Sequence, residues 1–192
     1  MKETNGAQAI ERVAVIGAGD AGRGFALACV AAGYSVVLED VMPANLHRAS
    51  VEYSAAGRGA GYGSLELSST IEDAVRGADI VVDFVPDELE SKLEIFCLLD
   101  RMAPPKTILC TPTKALSIAD LASCVYRPER VFAVRGTLTK GSSVWLMSSG
   151  QADRAIAGIV ERFLVSLGLD VIQEIDQSES LPTCPQNLLT SS

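Results

Sequence analysis

Apolar residues along this chain follow two rhythms. Short unbroken runs at Arg12–Ile16 (RVAVI), Val36-Val37-Leu38, Ala78–Val85 (ADIVVDFV) and Thr107–Cys110 suit strands buried on both faces. Between them the apolar positions recur at helical spacing. Ala21, Phe25, Ala28 and Cys29 mark a helix from Asp20 to Gly33, and residues 43 to 54 form a second, with Pro43 in its first turn. A short helix, Ile71 to Gly77, can be capped by Ser69 or Thr70. Leu89, Leu93, Phe96 and Leu99 mark a longer one over Glu88–Met102, stopped by Pro104-Pro105. Further on, Ser117–Cys124 reads as helix and Arg130–Val134 and Val144–Met147 as strands. A helix over Gln151–Leu167, closed by Gly168, and a last strand at Val171–Ile175 complete the pattern. The glycine-rich stretch Ala56–Gly63 reads as a mobile loop, with no element predicted between it and Ile71. Strands alternating with helices predict an α/β protein with a doubly wound, mostly parallel sheet, helices on both faces and right-handed crossovers. The domain spans residues 11–176, with an N-terminal tail at 1–10 and a flexible tail rich in Ser, Pro and Thr at 177–192.

The first strand and helix are joined by Gly17-Ala18-Gly19-Asp20-Ala21-Gly22, a GxGxxG pattern placed directly between them. Gly17 permits a sharp turn, Gly19 lets a diphosphate approach the backbone, and Gly22 lets the helix pack close to the strand. Backbone N–H groups around Asp20 and Ala21, at the positive end of the helix dipole, then face the phosphates. The second strand ends in Glu39-Asp40, where a carboxylate accepts the protons of a ribose diol and repels a 2′-phosphate. The expectation is a Rossmann-type domain binding NAD in preference to NADP.

Composition narrows the partners. Sixteen basic against 24 acidic residues give a net charge of −8 without a basic run, which disfavours nucleic acid. The apolar runs are too short to span a bilayer and the N-terminus lacks signal-peptide character, so a cytoplasmic protein without a membrane partner is expected. The five cysteines, Cys29, Cys97, Cys110, Cys124 and Cys184, lack metal-ligand spacing and read as small apolar residues. His47 is the only histidine, among polar neighbours on a helix, so no metal site is expected.

Several separated segments together carry a more specific signal. VAVIGAGDAGRGFALACVAAGYSVVLED, ADIVVDFVPDELESKLEIFCLLDRMAPPKTILC, LSIADLA and RPERVFAV resemble, in order and spacing, the N-terminal NAD-binding domain of the 3-hydroxyacyl-CoA dehydrogenases. The resemblance covers most of residues 11 to 176. It implies NAD-dependent oxidation of the 3-hydroxyl of an acyl-CoA, in a two-domain subunit that dimerises through a helical C-terminal domain. It also implies cofactor contacts at Gly17, Gly19, Gly22 and Asp40. Asp87 falls where that family has a Glu near the nicotinamide, Lys92 matches a following Lys, and Val85 stands at the strand end before them.

The family's catalytic positions are substituted. Its serine turn corresponds to Thr111-Pro112-Thr113-Lys114-Ala115, which puts Lys114 at the serine. Its histidine segment corresponds to Arg135-Gly136-Thr137-Leu138-Thr139, and the orienting glutamate falls at Met147. Arginine does not accept a proton near neutral pH, so the family's acid–base mechanism is not expected. The helical hairpin that helps hold CoA is replaced by the glycine loop, and the helical C-terminal domain does not follow, which argues against a CoA thioester as substrate. Asp87, Lys114 and Arg135 are expected to converge at the strand ends on an unidentified small substrate, Lys114 donating a proton and Arg135 clamping an anionic group. The alternative is a non-catalytic NAD(H)-binding or sensing module, with a homo-oligomer or partner chain closing the cleft.

Overall fold

The computed structural model describes residues 9–56 and 59–176. The expectations for residues 1–8, the centre of the glycine loop at 57–58, and the tail 177–192 with Cys184 lie outside them.

Five central strands form the expected apolar frame: β1 (Arg12–Ile16), β2 (Ser35–Glu39), β4 (Ile80–Asp83), β5 (Ile108–Pro112) and β6 (Val131–Arg135). β3 (Ser64–Ser68) lies outside β2, and β7 (Ser143–Ser148) and β8 (Asp170–Ile175) extend the other edge. The order is β3-β2-β1-β4-β5-β6-β7-β8, parallel from β3 to β6. β7 then runs antiparallel to β6, and β8 parallel to β7. The sheet is therefore doubly wound and mostly parallel, as the strand–helix alternation implies.

β3 is the one strand that the hydrophobic pattern does not announce. Its sequence, SLELS, offers only Leu65 and Leu67 on one face, and as an edge strand it is held mainly by pairing with β2 (Val36 opposite Leu65, Leu38 opposite Leu67). Gly63 makes that approach possible, because a Cβ there would lie 1.8 Å from the Tyr34 carbonyl oxygen.

Each central strand buries both faces, giving two cores. On one side α1 (Asp20–Ala31), α2 (Pro43–Ala55) and α6 (Arg154–Ser166) cover Val13, Val15, Leu38, Phe132 and Val134 with Phe25, Cys29, Ala49, Val160 and Phe163. On the other, α3 (Ile71–Val75), α4 (Leu89–Met102) and α5 (Ile118–Ser123) cover Ala14, Ile16, Val81, Leu109 and Ala133 with Val75, Phe96, Leu99 and Leu121. A side chain such as Phe96 contributes about 2–3 kcal/mol by leaving water. The same alternation decides on which face each residue at a strand's C-terminal end emerges. Cys29 and Cys110 are buried thiols, and burial pushes Cys110 up to about 12, so it is unreactive. No helix among the described residues is long and apolar enough to cross a membrane.

Candidate functional site

The site lies along the C-terminal ends of β1, β2, β4, β5 and β6. At its centre Gly17 has φ +96° and donates its N–H to the Glu39 carbonyl at 2.8 Å, and a Cβ there would lie 3.3 Å from the Phe84 backbone. Gly22 is required for contact: a Cβ there would lie 1.9 Å from the Gly17 oxygen. Gly19 differs, since a Cβ there would meet nothing within 4 Å. It caps α1, and among the described residues no side chain bonds to the first-turn N–H groups, whereas Thr70, Ser117 and Asp153 cap α3, α5 and α6 with side-chain oxygens. The open space and free N–H groups at the positive end of α1 fit a diphosphate. Asp20 and Ala21 begin this helix. The Asp20 carboxylate turns outward to Arg23, which also binds Glu52 of α2 and so fastens the start of α1. This brace was not legible in the sequence, where Arg23 is one charged residue within a glycine motif.

At the end of β2 the two acids part. Asp40 turns toward α1 and α2, its carboxylate accepting the N–H of Ala18 (2.8 Å), the N–H of Met42 (2.7 Å) and the Asn45 amide (3.0 Å). Burial works to raise its pKa, and those three hydrogen bonds outweigh it, so the carboxyl sits below its ordinary value. Asp40 is thus held ionised beside the glycine turn, as recognition of a ribose diol requires. Glu39 points to the opposite face and is 3% exposed; burial, with the charge of Asp40, pushes it up to about 7.

Beyond β4, Val85 borders a shallow groove of about 270 Å³ with Ser91, Glu94, Ile95 and Leu98 of α4. Lys92 does not reach the cofactor side and corrects the expectation of a cofactor-facing lysine. It is 1% exposed, with Nζ 3.1 and 3.3 Å from the carboxylate oxygens of the fully buried Asp83. Position 92 falls on the sheet-facing stripe of α4, so its charge is neutralised inside the core. Asp83 Oδ1 also accepts the Val85 N–H at 2.9 Å, which ties the ion pair to the loop after β4.

Asp87 and Lys114 do meet: the Lys114 backbone N–H donates to Asp87 Oδ2 at 2.8 Å. With Pro112, Thr113, Gly136 and Thr137 they line a cavity of about 420 Å³. A second cavity of about 430 Å³ shares Pro112, Gly136 and Thr137 and has an apolar wall of Ala21, Phe25, Ala28, Phe84 and Leu138. Phe84 packs on Phe25 at 5.3 Å and so shapes this cavity, a role its place in an apolar strand run did not reveal. Arg135 departs from the expected convergence. Its Nη2 donates to the Leu116 carbonyl at 3.2 Å and lies 4.0 Å from Asp176, and it lines neither cavity. Strand alternation puts it on the face of Val131 and Ala133, turned toward α5. His47 is exposed on α2, remote in sequence and strand position from Lys114.

Comparison with known proteins places the chain in a family. A curated relative from Mesorhizobium japonicum, 5-formyl-3-hydroxy-2-methylpyridine 4-carboxylate 5-dehydrogenase, is 32% identical over 132 residues, covering 64% of this chain and 43% of its own. A probable 3-hydroxybutyryl-CoA dehydrogenase from Bacillus subtilis is 33% identical over 141 residues, covering 65% and 48%. The solved 3-hydroxyacyl-CoA dehydrogenase of Archaeoglobus fulgidus superposes with a TM-score of 0.74 at 30% identity, over 88% of this chain and 57% of that one. The chain spans about half the length of the curated relatives it matches. Residues 12–135 match the model of the 3-hydroxyacyl-CoA dehydrogenase NAD-binding domain, and the chain belongs to that family and carries its NAD-binding fold.

Proposed function

We propose that this chain is the cofactor-binding half of an NAD-dependent oxidoreductase whose chemistry has moved from hydroxyacyl-CoA oxidation to a small non-CoA carbonyl or imine. The observation that carries the reading is the junction of Asp87 with Lys114 on the wall of one cavity, which adjoins a second through Pro112, Gly136 and Thr137, in a chain whose single histidine lies on α2. At the positions that supply the proton acceptor for oxidation of a 3-hydroxyl by the family route this chain carries Arg135 and Met147, and neither side chain accepts a proton near neutral pH. NAD(H), when bound, supplies the hydride. The phosphates would be held by Gly17–Gly22 and the ribose by Asp40. Lys114 presents an ammonium group that can donate a proton to a carbonyl oxygen or imine nitrogen, while Asp87 fixes the turn carrying it. The Mesorhizobium relative, by its name, acts on a pyridine carboxylate and the Bacillus relative on a CoA thioester, so the family accommodates both classes.

The test is calorimetric titration with NAD, NADH, NADP and NADPH, followed by NADH oxidation assays with small keto acids, aldehydes and imines beside acetoacetyl-CoA. NAD(H) binding is expected, with no turnover of acetoacetyl-CoA. Lys114→Ala should lower kcat for the accepted carbonyl by about 10²-fold or more without changing NADH affinity. The engagement of Arg135 by Leu116 and Asp176 favours one other reading, a non-catalytic NAD(H)-binding module. Tight NADH binding without oxidation by any carbonyl would establish that alternative.

A further inference from the structure

Asp40 explains one carboxylate at the end of β2, and Glu39 is left over. A carboxyl group this enclosed is normally paired or hydrogen-bonded, yet Glu39 has no side-chain partner among the described residues. Its backbone is part of the nucleotide site: the Glu39 carbonyl accepts the Gly17 N–H, and the next residue holds Ala18. In the sheet it stands between Ile16 and Ser68 on the face covered by α3, at the rim where β2 ends. Its oxygens are not among the wholly enclosed unpaired atoms, so the exposure Glu39 keeps reaches the carboxyl itself.

The cleft runs from the free N-terminus of α1 past Asp40, and the adenosine half of the cofactor must extend to the β2 side of the glycine turn, because Asp87 and Lys114 mark the other end. We propose that Glu39 is a specificity-determining residue of the dinucleotide cleft, its neutral carboxyl donating a hydrogen bond to the adenosine half, and that ionisation of Glu39 weakens cofactor binding. Burial and Asp40 together keep Glu39 neutral up to about pH 7. Once ionised it adds a second negative charge beside Asp40, facing a ligand that already carries a diphosphate.

The other charges around Glu39 leave it this role. On its own face, Glu66 of β3 is paired with Arg12 of β1, and Asp83 of β4 with Lys92 of α4. On α3, Glu72 and Asp73 are exposed and paired with Arg76. Asp40 is held ionised from the other side. His47 is exposed on α2, on the opposite face of the sheet.

The inference rests on the cofactor assignment, and the experiment separates the two. Dissociation constants for NADH, ADP-ribose and nicotinamide mononucleotide would be measured from pH 6 to 9 at fixed ionic strength, for the wild type, Glu39→Gln and the control His47→Asn. NADH and ADP-ribose affinity of the wild type should fall about tenfold between pH 6.5 and 8.5, the mononucleotide should not follow, and Glu39→Gln should be flat and bind more tightly than wild type at pH 8.5. The His47→Asn profile should match wild type. A wild-type affinity constant over this range overturns the proposal, as does a Glu39→Gln slope equal to that of wild type, or ADP-ribose binding that stays constant while NADH binding changes. Should Glu39→Gln fail to fold by circular dichroism, the wild-type NADH and ADP-ribose profiles decide the matter with the His47 control. Absence of dinucleotide binding at every pH would instead refute the cofactor assignment.

Discussion

Lys92→Met tests the buried ion pair under the nicotinamide-side loop. Methionine matches the lysine stem in length and leaves the packing of α4 nearly unchanged, so the substitution removes mainly the charge. Asp83, fully buried, would lose three contacts from the Lys92 ammonium, to Oδ2 at 3.1 Å, Oδ1 at 3.3 Å and its own carbonyl at 3.5 Å. It would keep the Val85 N–H and the weak contact of its backbone with Thr111. Removing one partner of a buried pair costs about 3–5 kcal/mol, because the remaining charge is stranded away from water. For a domain of this size that is a large part of the total stability and lowers Tm by roughly 6–20 °C. Burial already pushes Asp83 above its ordinary value, with Lys92 opposing it, so without the lysine Asp83 can escape the penalty by taking a proton. The deficit should therefore be larger at pH 8 than at pH 5. Urea denaturation followed by circular dichroism, at both pH values, reads the difference. Lys92→Met combined with Asp83→Asn, which keeps an acceptor for Val85, should recover much of the loss. A single variant within about 1 kcal/mol of wild type at pH 8 would refute the assignment of Lys92 to the core.

Three further outcomes follow from the same geometry. Gly22→Ala must displace the Gly17 oxygen and should destabilise the fold by several kcal/mol in a denaturant titration, whereas Gly19→Ala, with open space at its Cβ, should fold normally and lose at least tenfold in NADH affinity by calorimetry. Glu39 titrates near 4.5 when unfolded and about 7 in the fold, so the folded state binds its proton more tightly and stability falls as pH rises between those values. Above pH 7 this costs about 3 kcal/mol, and Glu39→Gln should be more stable than wild type at pH 8 but not at pH 4.5, in urea unfolding at each pH. Arg127→Ala removes the cation paired with Asp100, which keeps the Tyr126 N–H, and one of the two donors to the Pro104 carbonyl, which keeps the Thr107 N–H; it should cost roughly 1–3 kcal/mol in urea unfolding while leaving NADH affinity unchanged.

What the sequence determined by itself was whatever is local in the chain. Runs of Val, Ile and Leu fixed the central strands, helical spacing fixed the helices, and glycines at three set offsets fixed the turn between β1 and α1, because each depends on residues a few positions apart. The likeness of the acid ending β2 and of the segment after β4 to a known family was legible for the same reason. Tertiary structure decided everything that depends on which face a side chain leaves. It set Asp40 toward the glycine turn and Glu39 into the opposite face, one residue apart, and enclosed Lys92 with Asp83. It also brought Lys114 to Asp87 across 27 residues while turning Arg135 to the Leu116 carbonyl. β3 belongs to this second group, since its pairing with β2 rests on a backbone approach at Gly63 that no five-residue pattern reveals. The physical reason is common to all of them: periodicity assigns a residue to an element, but its charge state and partners come from the elements packed against it, which the chain supplies from distant positions.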